Sequence, residues 1–295
     1  MVSNKYKLSS PVDRHALISL NLAVLLFGLA GLFAKFTAVS PLTIALGRSA
    51  IAAVTLLIVL ILYRENPVPS LRGKWILLLF SGCILAVHWY TFFRSIQTST
   101  VAVGLVTFSA FPVFVTIIEP ISSRERIRGL ELFTSGLVLA GVLLIVPRFD
   151  WSDQILRGEC WGLLSGFAFA LLAITNRHLV RAVSPLPLAC VQNAVCALAL
   201  FTLAARYCRW PGTHDLVLLL ILGTVCTALS HCLFIASLRK VRAQTASIVA
   251  GLESVYGIVF AVLTLGEIPT TRTILGGTVI LAAASIAMFQ HRSRG

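Results

Sequence analysis

Long apolar stretches, parted by short polar breaks, recur along the whole chain at 16–36, 41–63, 74–96, 100–121, 129–147, 157–177, 185–206, 215–237, 243–265 and 272–290. The hydrocarbon core of a bilayer needs about 20 apolar residues per helix. The pattern therefore predicts ten transmembrane helices, with no room for a soluble domain between them. The breaks carry turn and charge signals, as from Arg64 to Lys74 with Pro67 and Pro69, or from Pro147 to Arg157. Lys5, Lys7 and Arg14 precede the first stretch, as they would in a signal peptide. That stretch is too long for a signal-peptide apolar region and shows no small-residue cleavage site, so it reads as an uncleaved first span.

Composition agrees. Hydrophobic residues make up 58% of the 295 and charged residues 12%, with mean hydropathy +0.92; a soluble domain carries about 25% charged residues. The formal charge of +13 would raise nucleic-acid binding in a soluble protein. Here its placement explains it. With the N-terminus inside, the inner segments hold sixteen basic residues: Lys5, Lys7, Arg14, Arg64, Arg72, Lys74, Arg124, Arg126, Arg128, Arg177, Arg181, Arg239, Lys240, Arg242, Arg292 and Arg294. The outer segments hold seven: Lys35, Arg94, Arg148, Arg157, Arg206, Arg209 and Arg272. This bias predicts both termini on the cytoplasmic side and no nucleic-acid partner. The seven cysteines, Cys83, Cys160, Cys190, Cys196, Cys208, Cys226 and Cys232, lack CxxC spacing. They read as small apolar packing residues, not as disulfides or metal ligands.

The chain also repeats itself. Ser40-Pro41-Leu42-Thr43-Ile44-Ala45 opens the second span and Ser184-Pro185-Leu186-Pro187-Leu188-Ala189 the seventh, so that Ala50 matches Ala194 and Arg48 matches Gln192. Ser95-Ile96 matches Ser237-Leu238 before the fourth and ninth spans, and Glu125 matches Glu267 after them. Five spans per repeat is an odd number, so the second repeat enters the membrane from the opposite side. The predicted fold is all-α and integral to the membrane, with two inverted five-helix repeats, 1–150 and 151–295, around a central cavity. Inverted repeats are a common construction in secondary transporters, with the substrate held near the midplane.

Leu252-Glu253-Ser254-Val255-Tyr256, followed by Leu265-Gly266-Glu267, resembles the "Glu-Pro-Val … Leu-Gly-Glu" pattern of the EamA-type ten-helix permeases of the drug/metabolite transporter superfamily. Phe111-Pro112-Val113, with Glu125 beyond it, looks like the same element in the first repeat. Ser254 stands where the family has proline, and Glu125 lacks the preceding Leu-Gly. The resemblance covers nearly the whole chain. It implies an inner-membrane exporter or importer of amino acids or similar metabolites, with a central cavity between the repeats.

Seven residues are candidates for substrate binding: Arg48, His88, Trp89, Gln192, His231, Glu253 and Tyr256. A charge in mid-span costs at least ~2.5–3.5 kcal/mol on insertion scales, so Glu253 is expected to face a polar cavity or to be protonated, either as a substrate-ammonium or proton site or as a structural carboxyl hydrogen-bonded to a neighbouring helix. Tyr256, one turn on, is placed to hydrogen-bond it or to cover a ligand. Ala243, Ser247, Ala250, Ser254, Gly257 and Ala261 form a small-residue stripe along the same span, which reads as a packing seam. Arg48 lies about 10 Å from its span's outer end. It is expected either to snorkel there or to act inside, as a carboxylate clamp or a partner for Glu253. Gln192 is its uncharged counterpart in the repeat.

His88 and His231 fit a proton relay or helix–helix hydrogen bonding. Neither has a metal ligand at i+3 or i+4, and no metal or cofactor is expected. Of the cluster His88, Trp89, Tyr90, Phe92 and Phe93, some rings are expected to face lipid. Lys35 and Asn176 end the first spans of their repeats, where they either gate a cavity mouth or anchor at the interface.

No G-x-x-x-x-G-K-[ST] occurs, which excludes P-loop nucleotide hydrolysis. The reading is a secondary transporter of a small organic metabolite. The alternative is an intramembrane protease or lipid-modifying transferase. For that, Ser81, Ser165 and Ser230 lie in spans near the histidines, without a G-x-S-x-G. A non-transporting scaffold is disfavoured by the short loops. Gly136 and Ala140 form a small-xxx-small pair suited either to a homodimer or to packing within one chain.

Overall fold

The computed structural model describes residues 14–64, 72–123, 129–145, 153–204 and 211–292. Among the residues named above, Lys5, Lys7, Pro67, Pro69, Arg124, Glu125, Arg126, Arg128, Pro147, Arg148, Arg206, Cys208, Arg209 and Arg294 lie outside that set.

The described residues form ten helices, three of them interrupted. They are α1 (Arg14–Phe36), α2 (Pro41–Leu62), α3 (Trp75–Thr98), α4a (Val101–Phe108) with α4b (Phe111–Ser123), α5 (Gly129–Ile145), α6 (Gln154–Leu179), α7 (Pro185–Ala204), α8a (Thr213–Gly223) continuing through a π-helical turn (Thr224–Leu229) into α8b (Ser230–Ser237), α9a (Ala243–Ala250) with α9b (Leu252–Leu265), and α10 (Thr271–Arg292). Eight are long and apolar enough to cross a membrane; α5 contributes a shorter apolar stretch, Leu132–Leu144. Apolar side chains cover the outside as well as the inside: Val54, Leu57, Ile58, Ile61 and Leu62 all project outward from α2. This is what a bundle solvated by lipid requires.

Local sequence sets the helix ends. Ser40 caps α2, its Oγ accepting from Thr43 N at 3.2 Å, and Pro41 occupies the first turn, where its missing N–H costs nothing. Thr100 caps α4a and Asp153 caps α6 in the same way. Gly266 ends α9b in the left-handed region at φ 65°, a conformation glycine adopts without strain. The turn it makes carries Glu267 to α4a, where Oε2 accepts from Val101 N at 3.2 Å. A carboxylate at a helix N-terminus satisfies an orphan donor and opposes the helix dipole.

α4a and α9a are eight residues each and begin 142 positions apart, at Val101 and Ala243; both give way to a break and then a second helical piece. The packing follows the same order. α3 lies along α6 and α1 along α8; α1 packs on α9b and α6 on α4; α3 touches α7 and α2 touches α8; α2 pairs with α7 and α5 with α10. Exchanging each helix for the one five places away reproduces this set.

The small-residue stripe on α9 is a packing seam. Ala243, Ser247, Ala250, Ser254, Gly257 and Ala261 are all buried. A Cβ at Gly28 of α1 would sit 2.9 Å from Tyr256 Cβ and 3.0 Å from Glu253 O, so only glycine permits this crossing. α6 meets α4 in the same manner, since a Cβ at Gly166 would lie 2.8 Å from Phe108 O. Ser254 uses its departure from proline: its hydroxyl lies 3.0 Å from Leu105 O and also meets Ser109 Oγ at the break in α4. Gly136 and Ala140 face outward on α5, and a Cβ at Gly136 would meet nothing within 4 Å. The pair therefore does not pack inside the chain.

Candidate functional site

Among the described residues, the largest fully buried side chain is Arg48. It sits on the inward face of α2, with Ile44, Ala45, Ser49 and Ala52. It does not snorkel, because α8 supplies acceptors deeper in. Thr227 Oγ1 donates to Leu222 O, five residues back, at 2.6 Å. The π-helical turn holds one more residue than an α-helical turn and loosens the carbonyl ladder there. Arg48 Nη2 donates to Cys226 O at 3.0 Å, and Nε donates to Thr227 Oγ1 at 2.9 Å. The guanidinium lies over Trp89, its Cζ 3.5 Å from the ring centroid, and Phe93 stands 5.2 Å away. Such stacking is worth about 2 kcal/mol or more when desolvated. Nη1 has no hydrogen-bond partner. Of the roles open to it, the partnership with Glu253 does not form: among the described residues no acidic side chain is bonded to Arg48.

Gln192, the counterpart on α7, is equally buried but differently held. Its Nε2 donates to Ser81 Oγ on α3 at 2.8 Å and to Asn176 Oδ1 on α6 at 2.5 Å. Asn176 is thus an interior residue rather than the mouth or interface residue that its place at a helix end suggested. Beside Gln192, Asn193 Nδ2 donates to Ala189 O at 2.9 Å and contacts His231 Nδ1 at 3.2 Å. Three unanticipated residues, Asn193, Thr227 and Cys226, therefore belong to this layer. Adjacent amides in an apolar span were the available signal for Asn193; nothing in the sequence marks the π-helical turn.

His88 points from α3 toward α6, its Nδ1 2.8 Å from Ser165 Oγ and 3.2 Å from Ser165 O. The pair clasps two helices inside a wall formed by Trp89, Phe92, Phe108 and Phe169, whose rings lie 4.4–5.9 Å from the imidazole. His88, Trp89, Phe92 and Phe93 are all buried, and only Tyr90 is partly exposed. The expectation that some of these rings face lipid narrows to Tyr90, because α1, α2, α4, α6 and α7 surround α3.

Glu253 begins α9b just past the break and is buried. Its carboxyl has no hydrogen-bond or ion-pair partner among the described residues. Tyr256 packs beside Gly28 and the main apolar core and forms no hydrogen bond with Glu253. Arg48 lies over Trp89, whose ring centroid is 4.4 Å from that of His88, and Thr227, which holds Arg48 Nε, comes one turn before His231 on α8. The structure thus brings Arg48, Trp89, His88 and His231 into one polar layer, with Gln192 on its α3–α6–α7 flank and Glu253 at the break in α9. Lys35 stays at its helix end, donating to Ser99 O at 2.9 Å. Among the described residues, no three His, Cys, Asp or Glu side chains group closely enough to hold a metal.

The fold and this buried layer define an all-helical, multi-pass membrane protein. The EamA-like transporter family model matches residues 15–146 and again 156–289. The chain belongs to the EamA-like transporter family. Among its relatives, an "Uncharacterized transporter YxxF" of Bacillus subtilis is 19% identical over 97% of this chain and 94% of its own. An "S-adenosylmethionine uptake transporter" of Rickettsia prowazekii is 25% identical over 84% of this chain and 83% of its own. A transporter of Archaeoglobus fulgidus is 24% identical over 67% and 70%. A solved crystal structure shares the fold at TM-score 0.76 and 14% identity, covering 96% of this chain and 98% of that one. The chain is a membrane transporter and not an enzyme.

Proposed function

We propose that this protein is a secondary transporter carrying a small organic metabolite, an amino acid or a related compound, across an inner membrane by alternating access. Residues 1–150 and 151–295 are its two inverted repeats, with both termini cytoplasmic and the substrate between them. The observation that carries the reading is Arg48, fully buried, without a carboxylate partner, at the meeting of α2 and α3 from one repeat with α8 from the other. Buried ionisable groups in a span are expensive and mark substrate or ion paths. The exchange of helix contacts between the repeats supports two related conformations. Arg48, Trp89, His88, Gln192, His231, Glu253 and Tyr256 are the proposed substrate-binding residues. The relatives named for S-adenosylmethionine make metabolites with an amino-acid head the first to try. A homodimer through the outward face of α5 belongs to the same proposal, and cysteine cross-linking at Gly136 tests it.

The test is metabolite profiling of cells and medium with wild type, Glu253→Gln or empty vector at matched membrane levels. It is followed by movement of the identified solute in sealed proteoliposomes. One solute class redistributing with wild type alone supports transport through Glu253. Wild type and Glu253→Gln behaving alike, both unlike vector, leaves transport standing and makes Glu253 structural. No redistribution in either assay rejects the proposal.

A further inference from the structure

Among the described residues, three nitrogen donors around Arg48 are buried and unpartnered, Arg48 Nη1, Trp89 Nε1 and His231 Nε2; a fourth, Asn176 Nδ2, lies on the flank with Gln192. The third is a donor for a local reason. Asn193 Nδ2, a nitrogen with hydrogens only to give, faces both Ala189 O and His231 Nδ1. Nδ1 therefore accepts, and the neutral ring carries its hydrogen on Nε2.

The three belong to one neighbourhood. Arg48 stacks on Trp89 at 3.5 Å. Its Nε is held by Thr227, one turn before His231 on α8. Asn193 lies one turn before Cys196 on α7, and Cys196 Sγ lies 3.1 Å from Ser49 Oγ beside Arg48. Two buried acceptors of the layer and its flank are also unpartnered among the described residues, Asn193 Oδ1 beside His231 and Gln192 Oε1 on the α3–α6–α7 flank. Each such atom, if left unmet, costs about 1–3 kcal/mol, and more where it is charged.

Resting on the transporter reading above, we propose that Arg48, Trp89 and His231 bind the carboxylate of an organic acid, while Asn193 Oδ1 takes a hydrogen from an amino or hydroxyl group on the adjacent carbon. The substrate class is then α-amino or α-hydroxy monocarboxylates. One cation and two neutral donors match a single negative charge; a phosphate dianion calls for more positive charge. Arg48 is fully buried, so the acid reaches it when the two halves separate. Asn193, which the sequence did not single out, becomes a specificity residue: it favours α-substituted acids over plain ones.

The test measures ligand-induced thermal stabilisation and affinity with the full chain in nanodiscs. The probes are the twenty amino acids, L-lactate, propionate, S-adenosylmethionine and methyl phosphate. Each acid is paired with its amide, and S-adenosylmethionine with its decarboxylated form. At least one acid is expected to bind, with its amide or decarboxylated partner weaker by about tenfold or more, the loss of a charged hydrogen bond. Arg48→Gln abolishes that binding, and Asn193→Leu removes the preference for L-lactate over propionate. Acid and amide binding alike, methyl phosphate binding best, or no acid binding at all overturns the proposal without needing any variant to fold. Transport of the same panel in proteoliposomes is scored separately. A solute that crosses regardless of its carboxylate preserves the transporter reading and defeats this one.

Discussion

Arg48 on α2 and Gln192 on α7 occupy matching places in the two repeats, and the helices that receive them have diverged. Arg48 meets α8, where a π-helical turn presents Cys226 O and Thr227 Oγ1 to a guanidinium. Gln192 meets α3, which is regular throughout and offers a serine hydroxyl at Ser81. The scaffold is shared; the polarity it hosts is set by the irregularity of the receiving helix. Single π-helical turns within α-helices gather at functional sites. The two halves are alike in how they pack and unlike in the polar groups they bury.

The comparison breaks most sharply if the charge is moved. Gln192→Arg places a guanidinium against α3, which has no freed carbonyl to receive it. Unpaired buried charge costs ~3–5 kcal/mol, so thermal unfolding in detergent should fall steeply, while Arg48 in the wild-type protein is tolerated. A Gln192→Arg protein as stable as wild type would show that α3 is as receptive as α8.

The glycine seams come next. Gly28→Leu and Gly166→Leu each force a side chain into a neighbouring backbone. Overpacking of this kind costs about 1–3 kcal/mol. Equal losses in melting temperature would show that the α1–α9b and α6–α4 crossings are energetic equivalents; a large inequality would confine the likeness to geometry.

Thr227→Val removes the hydrogen bond to Arg48 Nε and the one to Leu222 O. Each is worth about 0.5–1.5 kcal/mol. Ser81→Ala leaves Gln192 Nε2 its bond to Asn176 and should cost less. Solute flux should drop more for Thr227→Val than for Ser81→Ala, because only the former loosens the guanidinium. Smallest of all is Glu267→Gln, which weakens the charge at the N-terminus of α4a by about 0.3–1 kcal/mol. Its loss should appear in unfolding temperature and leave flux unchanged.

Much of the site was within reach of the sequence residue by residue, and little of it as an arrangement. Arg48, His88, His231 and Glu253 stood out because ionisable groups are costly inside a bilayer. Whether they meet is a matter of helix rotation and depth, to which a nearly all-apolar sequence is indifferent. Hence the sequence alone admits Arg48 at the interface or in the interior, reads Asn176 as a mouth or interface residue, and does not distinguish Thr227 from other span residues.

The sequence by itself determined that this chain lives in a membrane, where most of its helices begin and end, and that its two halves resemble each other. Those features follow from hydrophobic length, caps such as Ser40 and Gly266, and ordered self-similarity, all of them local. Only the tertiary structure decided that α8 widens into a π-helical turn, that α4 and α9 break at the same depth in their repeats, and that Arg48 lies on Trp89 rather than beside Glu253. The reason is physical. In lipid, helices do not sort themselves by hiding apolar faces, so their pairing rests on glycine contacts and a few hydrogen bonds between residues far apart in the chain.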